Sequence, residues 1–125
     1  MNYAYIVNAV ALAAVIAADL YDIKWTLTGI AKGVGVEANV IITKLAGTVK
    51  PSFRQLLLIN LLIPILPLGL PGLVLGWHNG PLCAFSITAL LPGIYTHIHG
   101  ARDWQYLLKG GNPNLLNTSW WSKIL

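Results

Sequence analysis

The chain has 125 residues, of which 56% are apolar and 10% are Asp, Glu, Lys or Arg, where a soluble domain carries about 25% charged residues. With a mean hydropathy of +0.66, this composition excludes an ordinary soluble enzyme, a disordered tail and a nucleic-acid-binding domain with a broad basic face. The net charge of +4 rests on only 8 Lys or Arg and 4 Asp or Glu, so their positions matter more than their sum.

No charged residue precedes Asp19, and none occurs between Arg54 and Arg102. A membrane-spanning helix needs about 20 apolar residues, whereas a buried helix of a soluble core seldom needs more than about 14. The second uncharged interval is room for two spans and a turn. Three spans use up the chain and leave no segment large enough for a soluble core of its own. The expected architecture is an all-α integral membrane protein forming a single membrane domain. Its three transmembrane helices are expected at about 3–30, 53–77 and 81–108, with a loop at 33–52 and a polar tail at 110–125.

The first apolar run lacks the basic leader and small-residue cleavage site of a signal peptide. It continues into Asp19-Leu-Tyr-Asp22, so it reads as a first helix that is kept. Tyr3 and Tyr5 mark one end and Tyr21 and Trp25 the other, as aromatic belts do at membrane interfaces. Helix continues toward Lys32 until Gly33-Val-Gly35 breaks it. In the first loop, Glu37 to Ala46 forms a short helical or interfacial piece, with Val40, Ile41, Lys44 and Leu45 near one face and Gly47 and Pro51 as its bounds. The stretch Val40-Ile-Ile-Thr43 fits a strand equally well.

The second span opens at Ser52, where Ser52-Phe-Arg-Gln55 has the spacing of a capping box. Pro64, Pro67 and Pro71 lie within it. Each removes a helix hydrogen bond, so a kink is predicted, and in lipid the freed carbonyls need protein or water. His78-Asn-Gly-Pro81 is a tight turn in which Pro81 suits the first position of the next helix, and His78 reads as an exposed turn residue. The third span has a predicted kink at Pro92-Gly93 and ends at Gly110-Gly111. In the tail, Trp120 and Trp121 are candidate anchors on a partner.

Charge placement gives an orientation. The first loop carries Lys32, Lys44, Lys50 and Arg54 against Glu37, the second loop has no Lys or Arg, and the far end carries Arg102, Lys109 and Lys123 against Asp103. The positive-inside rule then places the protein in the cell membrane with the N-terminus outside and the first loop and C-terminus in the cytoplasm.

The polar residues inside this frame carry whatever chemistry there is. Asn8, Leu12, Val15, Asp19, Asp22, Thr26, Gly29 and Gly33 follow a spacing of three and four and share one face of the first span. An ionised carboxylate in hydrocarbon costs at least about 2.5–3.5 kcal/mol, so Asp19 and Asp22 are expected to face protein or water. Reckoned as antiparallel from the same inner belt, His97 and His99 fall at about their depth. His99 and Asp103 form an i, i+4 pair, Arg54 is placed to reach Asp22, and Asn60 to bond across helices. This cluster fits two roles. It can carry a proton or bind a divalent metal such as zinc, iron or copper, with His97, His99 and Asp103 as candidate ligands. Alternatively, Asp19, Asp22, His97 and His99 pair with one another, with Arg54 or Arg102, or with a neighbouring subunit. The second role is preferred because no tight ligand motif such as His-x-x-x-His is present. No cofactor is predicted, with a metal or a pigment on a single His as the alternatives. Cys83, the only cysteine, allows no disulfide framework or cysteine zinc site. Ser52 is a cap, Ser86 and Thr88 have no base partner, and neither Gly-x-Ser-x-Gly nor a phosphate-binding glycine loop occurs. The few positive charges of the first loop do not suit a polyanion, so no nucleic acid is expected.

Asp22-x-x-x-Thr26, followed by Gly33 or Gly35 and then Glu37-x-Asn39, resembles small bacterial and phage membrane proteins of domain-of-unknown-function family 5658. The resemblance covers about residues 10–62. Members look like short multi-span proteins with Asp and Thr late in the first helix, a Gly-x-x-Glu-x-Asn-Pro turn and a basic residue opening the next span. Asp22, Thr26, Gly33, Glu37 and Asn39 match and Lys50-Pro-Ser52 follows, but Val40 replaces the proline after Asn. The resemblance implies a membrane protein without an established activity. It groups Asp22, Thr26, Glu37 and Asn39 into one structural or functional knot around the first loop.

The expected function is that of a non-enzymatic small integral membrane protein, an accessory or structural subunit of a larger membrane complex. Its expected partners are the lipid bilayer and other subunits or further copies of itself. The alternatives are a proton-, ion- or metal-handling membrane protein, and a phage-encoded lysis or virion membrane protein.

Overall fold

The computed structural model of the chain describes residues 3–110. Trp120 and Trp121 lie outside them. Helix α1 (Tyr3–Ala31) is an unbroken run rich in Ala, Leu, Val and Ile. It ends in a Schellman turn. Gly33 takes φ 72°, its N–H bonds to the Ile30 carbonyl at 3.0 Å, and the Val34 N–H bonds to the Gly29 carbonyl at 3.1 Å.

Helix α2 (Val40–Ala46) is capped by the Asn39 side chain and stopped by Gly47 at φ 69°. The strand alternative for this stretch is therefore not taken up, because the Asn39 amide supplies the helix with the acceptor its first N–H groups need. Helix α3 (Phe53–Asn60) opens with the capping box. The Ser52 hydroxyl accepts from the Gln55 N–H at 3.3 Å, and the Gln55 side chain accepts from the Ser52 N–H at 2.9 Å. Gln55 Nε2 also donates to the Ala46 carbonyl at 3.1 Å, which ties the end of α2 to the start of α3.

A π-helical turn (Leu61–Ile65) follows, and Pro64 sits inside it. Proline has no N–H and its ring crowds the carbonyl four residues back. One extra residue in the turn relieves that crowding, and the Leu66 N–H reaches back to the Leu61 carbonyl. Helix α4 (Leu66–Leu75) carries Pro67 in its first turn, where a missing N–H costs little, and Pro71 in its interior. A 3₁₀ turn (Gly76–His78) leads into α5 (Gly80–Leu108), which contains Pro92 and is α-helical along its whole length.

The fold is all-helical among the described residues. Three helical segments, Tyr3–Ala31, Phe53–His78 and Gly80–Leu108, are long and apolar enough to cross a membrane. Because three spans alternate in direction, α1 and α5 run parallel, which corrects the antiparallel reckoning from sequence. Val15 meets Gly93, Asp19 meets His97 and Asp22 meets Gly100, so the positions on the two helices rise together.

The core consists of Ala11, Leu12, Val15, Ile65 and Leu90, with Ile16, Leu61, Leu68, Leu73 and Ile94 packed around it. Helix α4 approaches α1 closely at Gly69, which faces Leu12, and at Gly72, which faces Asn8. The distribution of polarity is the reverse of a soluble protein's. Val10, Leu62, Val74 and Phe85 are exposed, while Asn8, Asp19, Thr26, Asn60 and Ser86 are buried. Apolar exteriors with polar groups turned inward suit a lipid surrounding.

Candidate functional site

The polar stripe of α1 is its packed face. Asn8, Leu12, Val15, Asp19, Thr26 and Gly29 are buried, Asp22 is half-buried, and only Gly33, in the turn that ends the helix, is exposed. Asn8 Nδ2 donates to the Gly69 carbonyl of α4 at 3.3 Å.

Asp19 and Asp22 are met by side chains from both other spans. Asn60, the last residue of α3, donates from Nδ2 to Asp19 Oδ1 at 2.6 Å. His97 of α5 places Nδ1 2.9 Å from Asp22 Oδ2 and 3.7 Å from Asp19 Oδ1. His97 Nδ1 and Asp22 Oδ2 share one hydrogen bond. Thr26 Oγ1 donates to Asp22 Oδ1 at 3.4 Å, one helical turn along α1. Gly100 lets Asp22 lie against α5, since a Cβ there would stand 2.9 Å from Asp22 Oδ1. The network thus joins α1, the second span and α5 through two carboxylates, one amide and one imidazole. Asp19 Oδ2 is buried and has no hydrogen-bond partner among the described residues.

Of the other sequence candidates, Arg54 is exposed on α3 and makes no ion pair with Asp22; the group facing Asp22 is the His97 imidazole. Arg102 is likewise exposed. His99 stands beside the Tyr95 ring, with centroids 4.3 Å apart and planes at 44°, and makes no hydrogen bond to Asp103, Asp19 or Asp22. The proposed ligand set is therefore dispersed, with His97 on Asp22 and His99 on Tyr95. Among the described residues no group of three or more His, Cys, Asp or Glu is arranged to hold a metal ion.

Glu37 and Asn39 bond to each other instead of to Asp22 or Thr26. The Glu37 carboxylate accepts from the Asn39 N–H at 2.8 Å, and Asn39 Oδ1 accepts from the N–H groups of Ile41 and Ile42 at 3.0 and 3.3 Å. The Glu37 N–H bonds to the Val49 carbonyl at 2.9 Å, closing the loop on itself. The knot suggested by the sequence is thus two hydrogen-bonded groups that face one space. That space is an open cavity of about 630 Å³ between the three spans and the first loop. Asp22, Thr26, Glu37, Asn39, Asn60, His97, His99 and Asp103 all line it, together with apolar side chains from every span.

Burial raises the Glu37 carboxyl above its ordinary value of 4.5. The charge of Asp22 adds to this, and the N–H groups of Asn39 and Ala38 oppose it. A carboxyl held above its unfolded value contributes stability below the ordinary range and loses it as pH rises through the raised value. The wild-type chain is accordingly expected to lose stability relative to Glu37→Gln as pH rises from 4.5 through the raised value. Unfolding midpoints of the two chains, measured across that interval, check this. A difference that does not vary with pH would contradict it.

Sequence reasoning missed the seating of Trp104. Its indole fills the notch at Gly29 and also closes over Gly35, where a Cβ would stand 3.1 Å from Cζ3. It also missed Gly100 as the neighbour of Asp22, and the bond from Gln105 Nε2 to the Tyr21 hydroxyl. A signal was present, because Gly93, His97, Gly100 and Trp104 are spaced by four, three and four and share one face of α5. No protein-family model, no curated protein and no solved structure matches the chain.

Proposed function

We propose that the chain is a non-enzymatic, multi-pass membrane protein acting as an accessory or structural subunit of a larger membrane assembly. In this reading the Asp19–Asn60–Asp22–His97 network is the staple that holds its three spans in register. The carrying observation is that His97 Nδ1 of α5 stands 2.9 and 3.7 Å from carboxylate oxygens of Asp22 and Asp19 on α1. These groups have partners within the chain, and none of them forms a nucleophile–base pair aimed at a substrate. The exposed apolar side chains leave broad faces for lipid or for neighbouring subunits.

The same proposal includes the orientation with the first loop and C-terminus in the cytoplasm, and a cell-membrane location. It includes bends at Pro64 and Pro92. It also includes an interfacial position for α2, which is supported by the exposure of Val40, Ile41 and Leu45 beside Lys44. Kinship with family 5658 is part of it too and rests on Asp22, Thr26, Gly33, Glu37 and Asn39. Native mass spectrometry of mildly solubilised membranes tests the assembly. A complex larger than one chain is expected, and a lone monomer would overturn it.

A second reading, proton transfer, is favoured by the position of His97 Nδ1 within reach of two carboxylates. Liposomes holding the protein separate the two. The staple reading expects no proton flux above that of empty liposomes, whereas a flux lost in Asp22→Asn and His97→Ala would establish transfer.

A further inference from the structure

The charged residues are sorted in space. The chain has four acidic residues, Asp19, Asp22, Glu37 and Asp103. Three of them line the cavity, and Asp19 stands behind Asn60 and His97, which line it as well. No described Lys or Arg lines the cavity. All of the described ones (Lys24, Lys32, Lys44, Lys50, Arg54, Arg102 and Lys109) are exposed on the outer surface. A chain of net charge +4 thus holds a space whose described walls carry carboxyl groups and no Lys or Arg. His97 offsets one carboxylate of the network. The network itself holds two carboxyl groups and a single imidazole.

The cavity is also amphipathic along its length. Glu37 in the first loop and Asp103 near the end of α5 lie at the loop end, where the Trp104 indole packs on Gly35. Leu68 and Leu90, farther along α4 and α5, make the other end apolar. A volume of about 630 Å³ falls within the roughly 300–1,000 Å³ of small-molecule sites, which are largely apolar with a few placed polar groups. A bare metal ion would need several converging ligands, and the described residues offer no such group. An organic cation needs less. Carboxylates balance its charge, and apolar walls receive its body.

We propose that this cavity is a binding site for a monovalent organic cation with an apolar body, held with its charge toward Glu37 and Asp103 and its body toward Leu68 and Leu90. The probe is tetraphenylphosphonium, with tetraphenylborate as a control of matched size and opposite charge. Calorimetric titration uses the full chain in nanodiscs of zwitterionic lipid, with empty nanodiscs as the blank. Saturable one-site binding of the cation is expected, with none of the anion. The double substitution Glu37→Gln and Asp103→Asn should weaken binding at least about tenfold, the effect of losing ~1.4 kcal/mol of attraction. Leu68→Trp, which fills the apolar end, should weaken the cation without altering charge. Circular dichroism and tryptophan fluorescence establish that each variant keeps its fold. No saturable cation binding above empty nanodiscs, equal affinity for the anion, or unchanged affinity in the folded double variant would each overturn the proposal.

Discussion

His97→Leu is expected to lower the unfolding free energy of the bundle by about 2–3 kcal/mol, because removing one member of a partly buried hydrogen-bonded pair strands the other. The imidazole is 2.9 Å from Asp22 Oδ2 and 3.7 Å from Asp19 Oδ1. Without it, Asp22 keeps only the 3.4 Å bond from Thr26 and lies across from a second carboxylate. Asp19 keeps Asn60 but loses the nearby imidazole. Adding Asp22→Leu to His97→Leu should cost less than the sum of the single changes, with a coupling of about 1 kcal/mol or more, because the pair is removed together. His99→Leu is the control. It forfeits the contact with the Tyr95 ring and a solvent-screened attraction to Asp103, and its loss should stay below about 1 kcal/mol. Denaturant titrations in micelles, followed by tryptophan fluorescence, measure the wild type, the two single variants, the double variant and the control. A loss below about 1 kcal/mol for His97→Leu, or strictly additive losses, would remove the staple from the account of this fold.

Gly29→Ala is expected to be nearly as damaging, at about 2–3 kcal/mol, through overpacking. A Cβ at Gly29 would overlap the Trp104 ring at Cε3 and Cζ3, and Gly35 confines the same ring from the loop side. The indole has to swing out, and the contact between α1 and α5 loosens where the first loop begins. Trp104→Leu in the Gly29→Ala background should restore part of the loss, since the smaller side chain leaves room for the methyl group. Gly33→Ala separates space from backbone conformation. Nothing lies within 4 Å of a Cβ there, but φ is +72°, so the expected cost is only about 1 kcal/mol. The same titrations apply. If Gly29→Ala proved as mild as Gly33→Ala, the close approach at Trp104 would not be what holds this end of the bundle.

Both experiments concern contacts that sequence reasoning reached unevenly. The stripe from Asn8 to Gly29 was legible because a helix repeats every 3.6 residues, so spacing alone names the residues of one face. That His97 and not His99 would meet Asp22 was not drawn from the sequence. Two residues along a helix amount to about 200° of rotation, so only one of the pair could face α1, but which one depends on how α5 is rotated. Arg54 was misplaced for a related reason. A long side chain at the mouth of a span can point into the bundle or out, and here it is exposed while Asn60, nearly two turns further along, enters the network. Pro64 and Pro92 read alike in sequence. One sits in a π-helical turn and the other within a regular α-helix, because neighbouring packing decides how a missing N–H is accommodated.

What the amino-acid sequence determined by itself is whatever is local and additive. The three long apolar helices follow from hydropathy summed along the chain. The Ser52–Gln55 cap follows from side chains three residues apart, and the packed face of α1 follows from helical periodicity. Only the tertiary structure decided which residues meet across the bundle. The parallel offset of α1 and α5 sets His97 against Asp22 and seats Trp104 on Gly29. The loose fit of three spans under the first loop gathers Asp22, Glu37 and Asp103 around one cavity and leaves the described Lys and Arg outside. Such contacts depend on the rotation and translation of whole helices, which many weak side-chain contacts set jointly and no single stretch of sequence encodes.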